Sequence, residues 1–179
     1  MRKTNWNDVD DAVDFELLPA GGYVCQILRV NDETEKEYLK IEFDIAEGEY
    51  TDHYADTSSG IKWWPGTFNK SYKDKAQRFF KAMLTAVEES NASFSIKKFS
   101  ETGDEHTLER MMIGLTIGIE NYWGKDGTKK QRNYVDRTRS VKAIRDGDYK
   151  MPPERENTYN KPVDGFTELP DTTDEELPF

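Results

Sequence analysis

The sequence is poor in cysteine and histidine. Cys25 is the only cysteine, and His53 and His106 are the only histidines, so the chain offers neither a disulfide framework nor a zinc site built from Cys and His ligands. It also lacks an apolar run long enough to span a bilayer, and its first residues lack the apolar stretch of a signal peptide. We therefore expect a cytoplasmic protein that uses no metal or other cofactor.

Positive charge is scarce over the whole chain, because 35 acidic residues against 25 basic ones give a net charge of −10. The acidic excess lies at the two ends. Residues 1–18 hold five acidic and two basic side chains, and residues 151–179 hold eight and two. A net charge of this sign argues against nucleic acid as a ligand, but the nearly neutral middle of the chain remains suited to phosphate contacts.

The middle of the chain has the residue pattern of β-strands. Residues 23–30 carry the aromatic and β-branched side chains that favour a first strand. A second strand with one buried face is predicted by the alternation of Leu39, Ile41, Phe43 and Ile45 with polar residues. After a turn at residues 47–49, we expect residues 50–54 to form a third strand.

The apolar spacing changes to that of a helix between residues 72 and 90. The positions that predict the buried face of one amphipathic helix are Ala76, Phe79, Phe80, Met83, Leu84 and Val87. Alternation over residues 113–119 predicts a fourth strand, and residues 133–144 are expected to form the last one. Residues 148–179 are rich in proline and acids without periodicity, so we expect disorder there.

Three strands, a helix and two further strands follow the order of an OB-fold, a small, partly open Greek-key barrel. We therefore predict a mainly β protein: a five-stranded OB-type barrel with one amphipathic helix between strands three and four. The expected organisation is an acidic arm over residues 1–17, the barrel over residues 18–147 and a disordered acidic tail over residues 148–179.

Two segments interleave basic and aromatic residues. Aromatic rings stack on unpaired bases for about 1–3 kcal/mol each, and basic side chains neutralise the backbone, so this combination predicts sequence-tolerant binding of single-stranded DNA. The candidates in the first segment are Trp63, Trp64, Phe68, Lys70, Tyr72 and Lys73. Those in the second are Tyr122, Trp123, Lys125, Lys129, Lys130, Arg132, Tyr134, Arg137 and Arg139.

Structural roles compete with this interpretation. Trp63 and Trp64 are adjacent, so in an extended chain they point to opposite sides and one of them suits the core. The basic run at residues 129–132 is also typical of a solvated turn. The weaker candidates are the tyrosines of the first three strands, whose facing the sequence leaves open: Tyr23, Tyr38, Tyr50 and Tyr54.

The C-terminal tip combines acids with an apolar end, in the order Asp174, Glu175, Glu176, Leu177, Pro178 and Phe179. Proline keeps the tip extended, the phenyl ring suits an apolar pocket, and the carboxylates suit basic residues around that pocket. We expect the tip to bind partner proteins. The alternative is an acidic solubilising tail, which gives no reason for the apolar end.

The tip resembles that of bacterial and phage single-stranded-DNA-binding proteins, and the segment from Leu18 to Tyr23 with the strands after it is similar to phage-encoded members. The resemblance implies a barrel that holds single-stranded DNA during replication, recombination or repair in a bacterial or phage-infected cell. It also implies a tip that docks replication and recombination proteins. The insertion at residues 90–112, the acidic arm and the short tail depart from the bacterial form and argue against its tetramer, while another homo-oligomer stays open.

Two other functions compete. Lys40, Glu42 and Asp44 have residue types found in metal-dependent nucleases, but their alternation with the apolar face predicts only the solvent side of a strand. Because the sequence also has no phosphate-binding glycine loop and no recognisable nucleophile paired with histidine, we do not expect an enzyme. The second alternative is an acidic adaptor or inhibitor that binds replication proteins and no DNA.

Overall fold

The computed structural model describes residues 16–54 and 66–159. The strands in these ranges are β1 (Gly21–Glu33), β2 (Tyr38–Ile45), β3 (Gly66–Ser71), β4 (Met112–Trp123), β5 (Lys129–Arg139) and β6 (Arg155–Asn157). The helices are α1 (Gln77–Ser90), α2 (Ile96–Thr102) and α3 (Val141–Arg145). None of these three helices has the length and apolar character needed to cross a lipid bilayer.

The strands form one open sheet in the order β3-β2-β1-β4-β5, with every neighbouring pair antiparallel. β1 pairs with β4 only from Met112 to Ile117, which leaves the same edge of β4 unpaired further along. β6 occupies that edge in parallel, opposite Glu120 to Tyr122. The prediction of a mainly β chain is confirmed, and the described strands leave β3 and β5 as the edges of an open sheet.

One face of the sheet carries the main core. The alternating residues predicted for the second strand are all buried there: Leu39, Ile41, Phe43 and Ile45. The predicted amphipathic helix is α1, which covers this face with Met83, Leu84 and Val87. Phe79, expected in the core, is 54% exposed, and that prediction is wrong. It lies about 100° around the helix from Phe80, outside the buried stripe.

The third predicted strand is wrong, because residues 50–54 form turns and β3 takes that place in the sheet. The turn uses the backbone donors that a strand would need. Asp52 donates its N–H to the Ile45 carbonyl at 3.0 Å, and Tyr54 donates its N–H to Asp44 Oδ1 at 3.1 Å. Asp44, expected on the solvent side, is therefore 2% exposed.

The last strand lies earlier in the chain than predicted, since β5 begins at Lys129 and ends at Arg139 and residues 141–145 are helical. Ser140 begins this helix by accepting a hydrogen bond from the Ala143 N–H at 3.3 Å, as an N-cap residue does. The polar insertion before β4 likewise contains α2 and a 3₁₀ turn at Glu105–Leu108. A helix of seven residues such as α2 is too short for its period to stand out in the sequence.

Residues 148–159 are ordered on the sheet, so the expectation of disorder is wrong for this stretch. Tyr149 packs on a second small core of Val24, Val141 and Ile144, and Pro152 is buried. Two glycines make room for this segment. A Cβ at Gly22 would lie 2.6 Å from the Tyr149 ring, and one at Gly118 would lie 2.9 Å from Pro152 Cβ.

Candidate nucleic-acid interface

The described candidate residues lie on the two edge strands and beside them. Trp63, Trp64 and the tip from Asp174 to Phe179 lie outside the described residues. Phe68 and Lys70 are on β3, with Tyr72 and Lys73 directly after it, while the second candidate segment forms the hairpin of β4 and β5. In strand order the two groups are separated by β2 and β1.

The β3 group is largely engaged in the fold. The Phe68 ring packs against the core ring of Phe43 at 5.8 Å. Lys70 lies on the same face of β3, where burial lowers the pKa of its amine. Tyr72 donates its hydroxyl to Asp32 Oδ1 at 2.8 Å, and this bond raises the pKa of Tyr72 to about 12.

Three of the four tyrosines named as weaker candidates are likewise engaged in the fold. Tyr23, Tyr50 and Tyr54 pack against the main core. Tyr38 lies on the opposite face of β2 from the buried Leu39. Tyr38 is therefore the member of this group that faces away from the core.

The two faces of the hairpin carry different side chains. Ile117 and Val135, opposite each other, face the core. By alternation the inner face continues through Asn121 with Gln131 and Trp123 with Lys129. The outer face, which we define by the side chains on the other side, carries Gly118, Glu120, Tyr122, Lys130, Arg132 and Tyr134.

A β-bulge interrupts this alternation in β5. Thr116 pairs with Arg137, but the next residue of β4, Ile117, pairs with Val135. Asp136 is thus the extra residue, and a bulge of this kind changes the side to which the following residues point. Arg137 consequently joins the outer face, opposite the outward Thr116.

Three aromatic rings of the hairpin differ in accessibility. Trp123 is half-buried at the end of β4 and makes no ring contact among the described residues. Tyr122 is also half-buried, and the Arg132 guanidinium lies 5.0 Å from its ring centroid. The Tyr134 ring is covered by the Arg155 guanidinium at 3.9 Å, and its hydroxyl donates to the Pro153 carbonyl. Trp123 and Tyr122 are the rings best placed to stack on a base.

Most hairpin cations have acidic partners that the sequence did not reveal. Their ion pairs are Lys129 Nζ with Glu156 Oε1 at 2.8 Å, Lys130 Nζ with Asp126 Oδ2 at 2.9 Å, and Arg132 Nε with Glu120 Oε2 at 2.7 Å. The hydrogen bond to Asp126 raises the pKa of Lys130. These cations remain exposed, but each is partly neutralised. Lys125 lies exposed in the turn between the strands.

A shallow cleft of about 840 Å³ lies between the hairpin and the segment that carries β6, and residues of both hairpin faces line it. Its central side chain is Asn121, which is 5% exposed. The Asn121 amide donates to Glu154 and Glu156 and accepts from Gln131 at 3.0 Å. This network fastens β6 to the hairpin. The sequence did not predict this network, because isolated polar residues form no periodic pattern that would indicate their contacts.

Arg139 is separated from the other hairpin cations. It lines a groove of about 510 Å³ between α1 and α3, beside the small side chains of Ala82, Ala86 and Ala143. The structure therefore brings together the residues from Tyr122 to Arg137, and it leaves Arg139 and the β3 group elsewhere.

No protein-family model matches the chain, and a comparison with curated proteins finds no match. Function is consequently argued from the residues and their geometry.

Proposed function

We propose that this protein binds single-stranded DNA without sequence specificity through the β4–β5 hairpin, and that its C-terminal tip recruits replication or recombination proteins. The proposed role is binding rather than catalysis, in DNA replication, recombination or repair, within a bacterial or phage-infected cytoplasm. The family proposed is that of phage-encoded single-stranded-DNA-binding proteins.

The strand order supports an OB-type fold for this role. The order β3-β2-β1-β4-β5, with a helix between the third and fourth strands, agrees with the strand order expected of an OB-fold opened between β3 and β5. In that fold the loop between strands four and five borders the ligand. The β4–β5 hairpin occupies the corresponding position.

The observation that carries the proposal is the composition of this hairpin. Tyr122 and Trp123 are adjacent on β4, so they point to opposite faces, and neither is enclosed by the core. Exposed cations flank both rings: Lys125 in the turn and Lys129, Lys130 and Arg132 on β5. Rings that stack on bases next to cations that contact phosphates are what a single strand requires.

The first experiment is a titration of the full-length protein with a dT oligomer of roughly 30 nucleotides, followed by tryptophan fluorescence at low and high salt. We expect quenching that weakens with salt, and no comparable response to duplex DNA. Trp123→Ala should cost about 1–3 kcal/mol of binding free energy, the stacking energy of one base. Affinities of the variants are measured by anisotropy of a labelled oligomer.

Two further variants separate stacking from charge. Lys130→Ala should chiefly lower the dependence of affinity on salt. Phe79→Ala, which removes an exposed ring from α1, is the control and should leave affinity unchanged. If Trp123→Ala and Phe79→Ala bound equally well, the hairpin would not be the stacking site.

One observation favours a second candidate, the adaptor that binds proteins and no DNA. The ion pairs of Lys129, Lys130 and Arg132 reduce the positive potential of the hairpin. Failure to bind any single strand at low salt, combined with tight binding to a replication protein, would select this candidate instead.

A further inference from the structure

The charge on the outer face of the hairpin is unevenly balanced. Lys130 and Arg132 each have one carboxylate partner, Asp126 and Glu120. Next to them along β5, one carboxylate serves two guanidinium groups. Asp136 Oδ1 lies 2.7 Å from Arg155 Nη2, and Asp136 Oδ2 lies 3.6 Å from Arg137 Nε. This group of three side chains keeps a net positive charge.

The exposure of these side chains differs in the same sense. The Asp136 side chain is 14% exposed, whereas those of Arg155 and Arg137 are 47% and 63% exposed. The carboxylate is therefore enclosed by the two arginines, which face solvent. A ligand with negative charge that approaches the outer face meets the arginines first.

Arg155 reaches this position from another element. It lies on β6 opposite Glu120, and its guanidinium extends over the Tyr134 ring at 3.9 Å. Gly118 allows the Tyr134 ring to lie directly against β4, because a Cβ there would lie 2.7 Å from that ring. The ring and Asp136 fix the guanidinium, so little side-chain freedom remains to be lost on binding a phosphate.

We infer that Arg155 is a further DNA-binding residue, and that the interface extends from the hairpin onto β6. The inference rests on the proposed function and adds a phosphate contact to it. On the outer face of β5, Tyr134 lies between the cations Arg132 and Arg137. The Arg155 guanidinium covers its ring and so adds a positive charge between them. Together with Arg132 and Arg137 it forms a row of guanidinium groups along the outer face.

The test compares Arg155→Gln with Arg155→Lys in the full-length protein. Both substitutions remove the planar guanidinium stacked on Tyr134, but only the first removes the charge. Binding of a labelled dT oligomer is measured by anisotropy over a series of salt concentrations. We expect the slope of log K against log salt to fall by about 0.7 in Arg155→Gln, the value for one phosphate of a single strand, and to stay near wild type in Arg155→Lys.

The matched control is Arg145→Gln. Arg145 is also an exposed arginine paired with a carboxylate of another element, Glu47, but it lies on α3. Its substitution should leave slope and affinity unchanged. Equal slopes for Arg155→Gln and Arg155→Lys would show that Arg155 only holds β6 in place, and would overturn the inference alone. Absence of binding by the wild type would overturn the proposed function, and the inference with it.

Discussion

Truncation after residue 147 tests whether the segment that follows belongs to the folded domain. The sequence places the domain end at this residue, but Tyr149 packs on Val24, Val141 and Ile144, and Pro152 is buried. Loss of these two side chains removes roughly 3 kcal/mol of apolar burial. The short pairing of β6 adds hydrogen bonds of about 1 kcal/mol each. The conformational entropy that the released residues regain offsets part of this stabilisation, and the net fall in the free energy of unfolding should be about 2 kcal/mol, within the range of a single core substitution.

The assay is unfolding by heat and by urea, each followed by far-ultraviolet circular dichroism. For a domain of this size the net loss corresponds to a fall in melting temperature of about 6 °C. The control is truncation after residue 159, which removes only the segment that the sequence predicts to be disordered and should leave the unfolding midpoint unchanged. If both truncated proteins unfolded at the wild-type urea concentration, the packing of Tyr149 and Pro152 would contribute nothing to stability.

Three other perturbations give separate tests. Asn133→Ala should lower the free energy of unfolding, measured in urea, by about 2 kcal/mol. The Asn133 side-chain amide accepts a hydrogen bond from the Leu18 N–H at 2.9 Å and donates one to the Leu18 carbonyl at 2.8 Å, and the substitution removes both. An unchanged free energy of unfolding would mean that water replaces both bonds. The hydrogen bond from His106 to Glu109 raises the pKa of the histidine and lowers that of Glu109. The stabilisation from this hydrogen bond should therefore be present between about pH 4.5 and 6.5 and be lost as the pH rises through the raised pKa of His106. His106→Ala should accordingly lower the melting temperature more at about pH 5.5 than at about pH 8.5. An equal effect at the two pH values would contradict the pairing. Deletion of residues 177–179 should leave DNA affinity unchanged or slightly higher but abolish capture of the partner protein in a pull-down, and a loss of DNA binding would refute this division of roles.

The predictions of secondary structure that are confirmed depended on the periodic spacing of apolar residues. The alternation of Leu39, Ile41, Phe43 and Ile45 identified β2, and the helical spacing identified α1. These patterns are visible because one whole face of each element is buried. The wrong third strand had no such pattern, and the turn there depends on Asp44 accepting from Tyr54, ten residues further along the chain.

The site was harder to predict than the fold. Basic and aromatic composition marked the hairpin, and the structure does place Tyr122, Trp123 and the neighbouring cations together. Composition could not reveal which cations are paired, because Lys129 meets Glu156 only through the parallel pairing of β6. Arg155 was not among the predicted residues, because its neighbours in the sequence are acidic residues and prolines.

The bulge at Asp136 adds one charged side chain to the outer face of β5 without moving any core residue of the strand to the other side. Before the bulge the even-numbered residues Lys130 and Arg132 point outward, and after it the odd-numbered Arg137 does. Deletion of the single extra residue would preserve every apolar contact up to Val135 and keep Arg137 opposite Thr116 on the outer face, but it would remove the carboxylate that Arg137 and Arg155 share. Deletion of a single codon would therefore make the outer surface of this strand more positive while the sheet keeps its core packing.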